Sequence, residues 1–408
     1  MRNDIFHMSP PSPPTLSEPN PLFNEAGEIC LGAEEATPEL AMRLGRSSAG
    51  IESRIAIGYS DCTMCRLLAS SFAIGAASSG AQITDFGSSF FAAVSTLART
   101  YLFNLTVFFE NDAGRLCIRI TDKFALPPNS ETQSKIEHNM KTENSPSLCF
   151  SEIIMPKTIA DSTDVFVSSL KQNGLLRGVR VSVIGSSHAA TSLRKILETS
   201  GAEIVSPERG VCALKISDDG MRLYIRDEKE NWHDDAHTSA LCVLAFLSGR
   251  NKEIAVLPDS PGIFEQIAEN LGGKVLRIGR SSGAKEIYLT QDIFSSAAAN
   301  ALLVLKYLSN SKKSLGTLIS ELPDFTLVSR ELSLRSDRKK LLENIEKACA
   351  DMYSENGCSL RICADGGWVN LCPTRSSSRL RITGEGMNEE IASELCNLFV
   401  EKADKLDK

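Results

Sequence analysis

The stretch Arg54-Ile-Ala-Ile-Gly58 is a short apolar strand, and a polar loop, a helix-like segment from Met64 to Ser79 and a strand opened by Gly80 follow it. The same order of strand, loop, helix, glycine and strand returns twice, over Val179–Val205 and over Glu253–Leu276. A glycine at each junction suits the left-handed end of a helix. The alternation of strand and helix predicts parallel βαβ units. The sequence therefore predicts three related α/β units in one chain.

The last eighty or so residues have a different pattern. Short apolar segments follow one another too closely for helices to lie between them, which is typical of an antiparallel sheet. We predict a small α+β domain, whose strands are Glu331–Leu334, Ser359–Cys363, Trp368–Leu371 and Arg379–Thr383 and whose helices are Asp337–Met352 and Asn388–Leu406.

These patterns divide the chain into five segments. Residues 1–21 contain six prolines and little apolar periodicity, so we predict a disordered Pro-rich tail. We expect α/β domains at 22–150, 151–248 and 249–325, the third of them shortened, and the α+β domain at 326–408. The polar stretch 127–147 is predicted to be a linker or an exposed loop.

Composition excludes several classes of protein. The 408 residues are 42% hydrophobic and 23% charged, and 44 basic against 51 acidic residues give 44 − 51 = −7. A mildly acidic chain is a poor generic binder of nucleic acid or of anionic membranes. The longest apolar run, Ala240–Leu247, is far short of the ~20 residues that span a bilayer. Since no secretion signal is recognisable either, we expect a cytoplasmic protein.

The twelve cysteines are scattered, and most lie in apolar stretches, where a free thiol acts as a small hydrophobic group. Cys62-Thr-Met-Cys65 has the spacing of a redox or metal motif, but no second pair completes a zinc site. We interpret the cysteines as reduced cytosolic thiols.

Five further segments, in chain order, carry a resemblance to a known family: Thr37–Gly45, Gly80–Gly87, Leu271–Val275, Gly316–Pro323 and Trp368–Pro373 with the following Arg379-Leu-Arg381. Together they resemble the α-D-phosphohexomutase superfamily, which includes phosphoglucomutases, phosphomannomutases and phosphoglucosamine mutases. The resemblance covers about Leu22 to the C-terminus. It implies three related α/β domains followed by a small α+β domain. It also implies an intramolecular phosphotransferase that works through a phosphoserine and Mg²⁺.

The nucleophilic serine of that family is missing at its expected place. The corresponding stretch, Thr106–Gly114, has no serine, and Asn111-Asp-Ala-Gly114 has the composition of an ordinary hairpin turn. Thr106 is the nearest hydroxyl, although a threonine on a strand is more often a packing residue. Retained catalysis would require Thr106 or a serine of the Ser186–Ser187 loop as the nucleophile. We therefore predict no catalytic residues.

The metal loop of the family is degraded as well. Aligned on Arg222, its three alternate ligand positions hold Ser217, Asp219 and Met221. One carboxylate remains, and a methionine is a poor ligand for Mg²⁺. The simpler interpretation is an Asp-Asp-Gly turn between two strands. We expect no cofactor, with Mg²⁺ required only if catalysis survives.

The phosphate loop of the last domain is better preserved, over Cys372–Arg381. Hydroxyl groups, turn amides and guanidinium groups are what an oxyanion site uses. The alternative is a Ser-rich surface turn with solvated arginines, and residue types alone do not decide between the two. The candidate phosphate-binding residues are Thr374, Arg375, Ser376, Ser378, Arg379 and Arg381.

Two other clusters have simpler interpretations. Gly185-Ser-Ser-His188 is at a strand-to-helix turn, where an anion could bind, but a plain connection accounts for it. Trp232–His237 has metal-like spacing of His and Asp, but the start of a capped helix is the favoured interpretation. The sugar-recognition loop of the family has no counterpart near Ala284–Ile293.

The simultaneous loss of nucleophile, metal ligands and sugar loop predicts a pseudoenzyme, because such parts act as a unit. It would bind a phosphorylated hexose or regulate an active mutase relative in carbohydrate metabolism, with a homo-oligomer as another possibility. The first alternative is a divergent but active phosphohexomutase. The second is a structural interaction protein that uses residues 9–21 and 127–147 as contact regions.

Overall fold

The structure is a computed structural model that describes residues 22–24, 27–112, 114–142, 148–207, 211–279, 281, 283–291, 293–336, 338–348, 352–355, 359–364, 366–373 and 379–407. These residues form sheets of six, five, two and five strands, named below the first to fourth sheets in chain order. The predicted tail, residues 1–21, lies outside the described residues. No helix of the described residues is both long enough and apolar enough to cross a membrane.

The first sheet contains β1 (Glu28–Leu31), β2 (Arg54–Tyr59), β3 (Gln82–Ser88), β4 (Leu105–Asp112), β5 (Arg115–Asp122) and β6 (Lys157–Thr158). Its order is β1-β5-β4-β2-β3-β6. Strand β2 pairs in parallel with β3 and β4, and β4 and β5 form the predicted antiparallel hairpin. Because β6 pairs with β3, this sheet extends beyond residue 150.

The helices of this region are α1 (Pro38–Ala49), α2 (Thr63–Ser78), α3 (Phe91–Thr100) and α4 (Ser130–Thr142). The start of α1 is set by Thr37, whose hydroxyl accepts from the Leu40 amide, and by a proline in the first turn. A Cβ on Gly45 or Gly75 would overlap backbone of the facing helix, so these glycines allow α1 and α2 to touch.

The prediction of a linker or exposed loop over 127–147 is wrong, because α4 occupies most of that stretch. The Asn129 side chain accepts from the Thr132 amide at 2.8 Å and so caps the helix. Ile136 and Met140, four residues apart, are buried on one face. Two apolar residues in a polar segment are a weak periodic signal. Their burial against the core nevertheless stabilises the helix.

The second sheet contains β7 (Arg180–Ile184), β8 (Glu203–Ile204), β9 (Ala213–Ile216), β10 (Leu223–Arg226) and β11 (Trp232–His233), in the order β11-β10-β9-β7-β8. Strand β7 is parallel to β8 and β9, whereas β9 and β10 are antiparallel neighbours. The helices here are α5 (Ser162–Leu170), α6 (His188–Thr199) and α7 (Asp235–Leu247).

The third sheet is the parallel pair β12 (Glu253–Val256) and β13 (Lys274–Arg277). Its helices are α8 (Ile263–Asn270), α9 (Ala284–Thr290), α10 (Ala297–Ser311) and α11 (Leu315–Ser320). All three predicted βαβ units therefore exist, since β2–β3, β7–β8 and β12–β13 each enclose one helix.

The fourth sheet is antiparallel and contains β14 (Thr326–Ser333), β15 (Met352–Glu355), β16 (Ser359–Ala364), β17 (Gly367–Pro373) and β18 (Arg379–Gly386), in the order β14-β18-β17-β16-β15. Helices α12 (Arg338–Ala348) and α13 (Glu389–Leu406) belong to it. The predicted helix Asp337–Met352 is wrong at its end, because Met352 begins strand β15. The predicted α/β fold class, with three α/β units before an α+β unit, is confirmed in its order of elements, while the domain boundaries stay a prediction.

One buried apolar cluster runs from the first sheet through the second and third, and includes Phe91, Leu214, Val256 and Leu318. The fourth sheet has its own cluster, built with α12 and α13. The fourth sheet is thus packed as a separate core, and the polar contacts described below attach it to α8.

Candidate functional site

A cleft of about 440 Å³ opens between elements of the second, third and fourth sheets. Asp235 at the start of α7 lines one wall, Asp259 in the loop after β12 lines another, and Asn370 and Arg381 on β17 and β18 line the third. Burial raises the pKa of the Asp235 carboxyl, which accepts from the Leu223 amide. The lining therefore combines acidic, amide and cationic groups, as a site for a polar small molecule requires.

The loop between β12 and α8 is shaped by Arg277 of β13. Its guanidinium is buried and donates to the carbonyl oxygens of Leu257, Pro258, Ser260 and Pro261, at 2.9 to 3.3 Å. It also pairs with Glu265 through two hydrogen bonds of 2.7 and 2.9 Å. Arg277 thereby orients the loop that carries Asp259 into the cleft. Sequence reasoning missed it, although an arginine ending an apolar strand is an available signal.

The fourth sheet docks on the start of α8 through Glu385. The two carboxylate oxygens of this residue accept from the amides of Gly262 and Ile263 at 2.8 and 2.9 Å, and its side chain is 4% exposed. A carboxylate at a helix N-terminus satisfies free amides and complements the helix dipole. Glu385 therefore holds β18, which carries Arg381 of the third wall, against the loop and helix start next to Asp259.

Arg361 strengthens the same contact. Its Nη1 donates to the Ser260 carbonyl oxygen at 2.6 Å, and its guanidinium lies 4.5 Å from the Trp368 ring centroid. A Cβ on Gly262 would lie 2.7 Å from both the Arg361 guanidinium and the Trp368 ring. A larger residue at position 262 would therefore crowd the contact between the fourth sheet and α8. Neither Glu385 nor Arg361 was predicted, because their partners lie more than a hundred residues away.

Of the six predicted phosphate-binding residues, only Arg379 and Arg381 fall among the described residues. Thr374, Arg375, Ser376 and Ser378 lie outside them. Both described arginines face Glu331 of β14, with N–O distances of 3.2 and 3.5 Å, and Arg381 lines the cleft. Arg381 therefore places a guanidinium group beside the cleft, paired on one side with Glu331.

The three positions of the predicted degenerate metal loop lie in the β9–β10 turn. Asp219 accepts from the Ser217 hydroxyl at 2.5 Å, from the Met221 amide at 3.1 Å and from Arg119 Nη1 at 2.8 Å. Burial disfavours a charged Asp219, but these hydrogen bonds outweigh it and hold the pKa of the carboxyl below its ordinary value. Met221 lines the cleft. The residues do not fit Mg²⁺, because a guanidinium already occupies their one carboxylate.

Arg119 of β5 is the centre of a four-residue cluster with Glu28, Glu110 and Asp219. Its Nε lies 2.8 Å from Glu110 and 3.5 Å from Glu28, and its guanidinium is 4.9 Å from the Phe91 ring centroid. Burial opposes the charge on Arg119, but its acidic neighbours, Glu110 first, raise its pKa further. Burial raises the pKa of Glu110, and Arg119 offsets this only in part. Among the described residues, no group of three or more His, Cys, Asp or Glu could hold a metal ion.

The site expected for a phosphoserine is the hairpin between β4 and β5. Asn111 and Gly114 close the turn through a hydrogen bond from the Gly114 amide to the Asn111 side chain at 2.9 Å. Thr106, the alternative nucleophile, is 3% exposed within β4. In the other suggested loop, Ser187 caps α6 by accepting from the Ala190 amide, and Ser186 is exposed.

The cluster Trp232–His237 is the predicted capped helix start. Asp234 accepts from the His237 amide at 2.9 Å and caps α7, and His237 Nδ1 lies 2.7 Å from the same carboxylate. His233 pairs instead with Asp227 at 3.2 Å. The histidines are thus each held by a different aspartate.

This arrangement of four sheets is similar to the fold of solved phosphohexomutase structures. A phosphoglucomutase/phosphomannomutase family protein from Burkholderia thailandensis superposes with a TM-score of 0.72 at 11% identity, over 93% of this chain and 96% of that chain. A Thermus thermophilus protein assigned as a phosphomannomutase gives 0.65 at 13% identity, over 93% and 99%. The Paramecium phosphoglucomutase pp63/parafusin, in its open form, gives 0.61 at 9% identity, over 94% and 95%.

These likenesses confirm the fold that the sequence resemblance implied. At such identities the fold is what they establish. No family model and no curated protein sequence matches the chain. The function therefore depends on the chemistry of the residues in the cleft and in the Arg119 cluster.

Proposed function

We propose that this chain is a phosphohexomutase-like pseudoenzyme that has lost phosphoryl transfer and binds a phosphorylated hexose in its cleft, as a regulatory protein of carbohydrate metabolism. The observation that carries the proposal is the ion pair between Arg119 and Asp219. The Arg119 guanidinium pairs with Asp219, whose carboxylate the resemblance aligns with a metal ligand. Without a divalent cation, the charge that develops on a migrating phosphoryl group loses the main offset on which this kind of reaction depends.

The hairpin supports the loss of catalysis independently. A phosphoenzyme mechanism needs an accessible hydroxyl beside a phosphate-binding group. The turn between β4 and β5 offers Asn111 and Asp112 instead, and Glu110 adds a further carboxyl nearby. Asn111, Asp112, Ala113 and Gly114 carry no hydroxyl group, so this hairpin lacks the nucleophile that a phosphoenzyme requires.

Binding is supported by the walls of the cleft. Arg381 supplies positive charge at one side, and hydrogen-bonding groups of Asp235, Asp259 and Asn370 face the same space. Carboxylate and amide oxygens accept from sugar hydroxyls, while a guanidinium suits a phosphate. A hexose phosphate combines both kinds of group in one small molecule.

The alternatives remain distinct proposals. A divergent active mutase needs another nucleophile, and the burial of Thr106 argues against that residue. An interaction protein would use the stretch 127–147, but α4 there turns Ile136 and Met140 inward. The remaining expectations are a cytoplasmic location and association with an active mutase relative or with a second copy.

Thermal denaturation with added phosphosugars tests the binding half of the proposal. We expect glucose, mannose or glucosamine phosphate at about 100 times its Kd to raise the Tm by about 2 °C or more. The rise should vanish in Arg381→Ala. Arg330→Ala is the matched control, because Arg330 is exposed on the opposite face of the same sheet and should leave the rise unchanged. Equal shifts in both variants, or none in the unmodified protein, would refute a phosphosugar site at Arg381.

A further inference from the structure

Two cysteines lie together at the carboxyl edge of the first sheet. Strand β2 ends at Tyr59, and Cys62 is the N-cap residue of α2, a helix of 16 residues. Cys65 lies in the first turn of that helix. The β2 end is held beside β4 by a hydrogen bond from the Ser60 amide to the Phe109 carbonyl oxygen at 2.9 Å. Functional groups of α/β folds gather at this edge, where the carboxyl ends of parallel strands meet.

The two thiols differ in surroundings. Cys62 is partly exposed, whereas Cys65 is 1% exposed, and both thiols are free. The Ser60 hydroxyl lies 3.6 Å from the Cys65 sulfur and donates to it. An accessible first cysteine and a sheltered second one, at the start of a helix, are the arrangement that thiol–disulfide exchange requires.

The pKa values of the two thiols differ as their exposure does. The amide of Cys65, together with the Cys65 thiol, the Met64 amide and the Asn111 side chain, lowers the pKa of Cys62 against the effect of burial. Burial raises the pKa of Cys65 to about 11. The sulfur of Cys62 is therefore the better nucleophile at neutral pH, whereas Cys65 stays protonated.

The rim formed by the first two turns of α2 carries two large apolar side chains beside the exposed Thr63 and Arg66. Met64 and Leu67, on the first turns of α2, are each 49% exposed. Large apolar side chains exposed beside a reactive group provide contact area for an incoming molecule. The core does not explain these two side chains, since Leu68 and Phe72 already fill the inward face of the helix.

We propose that Cys62 and Cys65 form a dithiol site that reduces disulfide bonds, independently of any phosphosugar binding. The Cys62 thiolate attacks one sulfur of the substrate disulfide, the S–S bond breaks, and the first substrate thiolate leaves and takes a proton. Cys65 then loses its proton and attacks the Cys62 sulfur, the S–S bond between Cys62 and the substrate breaks, and the second substrate sulfur leaves as a thiolate that takes up that proton. Two protein thiols are oxidised to one disulfide, and one substrate disulfide is reduced to two thiols.

Oxidised glutathione and a disulfide-linked apolar peptide are the probes. In the unmodified protein we expect either probe to produce a Cys62–Cys65 disulfide, identified by mass spectrometry of peptides. A faster reaction with the peptide identifies peptide disulfides as the substrate class, through the Met64 and Leu67 rim. A faster reaction with glutathione identifies small disulfides.

The variant Cys65→Ser removes the resolving thiol and should trap a mixed disulfide on Cys62. We expect this adduct to form at least about tenfold faster than the adduct on Cys149, an exposed cysteine that serves as the internal control. Absence of the Cys62–Cys65 disulfide in the unmodified protein, or equal rates at Cys62 and Cys149, would overturn the proposal. The first measurement uses no variant, so it does not depend on how well a variant folds.

Discussion

Arg119 donates from Nη1 to Oδ2 of Asp219 at 2.8 Å, across 100 residues of chain. This hydrogen-bonded ion pair joins β5 of the first sheet to the β9–β10 turn of the second. Both side chains are less than a quarter exposed, so solvent screens their attraction only in part. The pair thus links two sheets and at the same time occupies the carboxylate that a metal would need.

Removal of the arginine should destabilise the fold. In Arg119→Ala, Glu28, Glu110 and Asp219 would face one another without their cation, and we expect a loss of about 2–4 kcal/mol in the free energy of unfolding. Urea denaturation measures it. Arg115→Ala is the matched control, because Arg115 begins the same strand but is exposed, and it should change stability by less than about 0.5 kcal/mol. Similar losses in both variants would show that Arg119 and its acidic neighbours contribute no more to the free energy of unfolding than an exposed arginine does.

The same variant should acquire an affinity for divalent cations. Glu28, Glu110 and Asp219 are not arranged as a metal-ligand group in the described residues, but without the guanidinium they repel one another, and a loosely held divalent cation would relieve that repulsion. We expect millimolar Mg²⁺ or Ca²⁺ to raise the Tm of Arg119→Ala while leaving that of the unmodified protein unchanged. A saturable rise in the unmodified protein would mean that a metal binds despite Arg119.

Acid should weaken the fold partly through Asp219. The pKa of this carboxyl is lower in the folded chain than in the unfolded one, so its stabilisation is complete above the unfolded value, about 4. The stabilisation is lost as the pH falls through the lower, folded value. Glu110 acts in the opposite direction, because its raised pKa favours folding as the pH falls.

Urea denaturation between about pH 6 and pH 3 separates these effects. The difference in stability between the unmodified protein and Asp219→Asn should be largest near neutral pH and shrink toward pH 3. Asp218→Asn changes the exposed neighbour and should show no such trend. A difference that stays constant with pH would mean that the charge of Asp219 does not contribute.

The attachment of the fourth sheet should depend on Glu385. In Glu385→Ala the amides of Gly262 and Ile263 lose their acceptor, and we expect a loss of about 1–2 kcal/mol. Hydrogen exchange should accelerate at the start of α8 and along β18. Glu394→Gln, at an exposed position of α13, is the control. Unchanged exchange at Gly262 and Ile263 would show that the carboxylate does not hold the interface.

Local patterns in the sequence predicted most of the fold. The strand, helix and glycine order identified the parallel pairs β2–β3, β7–β8 and β12–β13, because each lies within about thirty residues of chain. The turn at Asn111–Gly114 was equally local. Helix α4 was missed because only Ile136 and Met140 mark its buried face, and such a weak signal depends on a core that the sequence does not display.

The site was predictable only in part, for the same reason. Arg381 was identified through a short motif, and the structure places it beside the cleft. Arg119, Arg277 and Glu385 act on partners that the fold alone brings near. The available signal for Arg119 was a charged residue inside an apolar strand. That pattern does not identify the residues with which the arginine pairs.

A coupled mutase assay tests the loss of phosphoryl transfer most directly. The purified protein is supplied with Mg²⁺, a sugar 1,6-bisphosphate and, in turn, phosphorylated glucose, mannose and glucosamine, with an active phosphoglucomutase as the positive control. Because Arg119 holds Asp219 and a hairpin stands at the nucleophile position, we predict no Mg²⁺-dependent turnover above background. Sustained Mg²⁺-dependent conversion of any of these sugars would contradict that prediction.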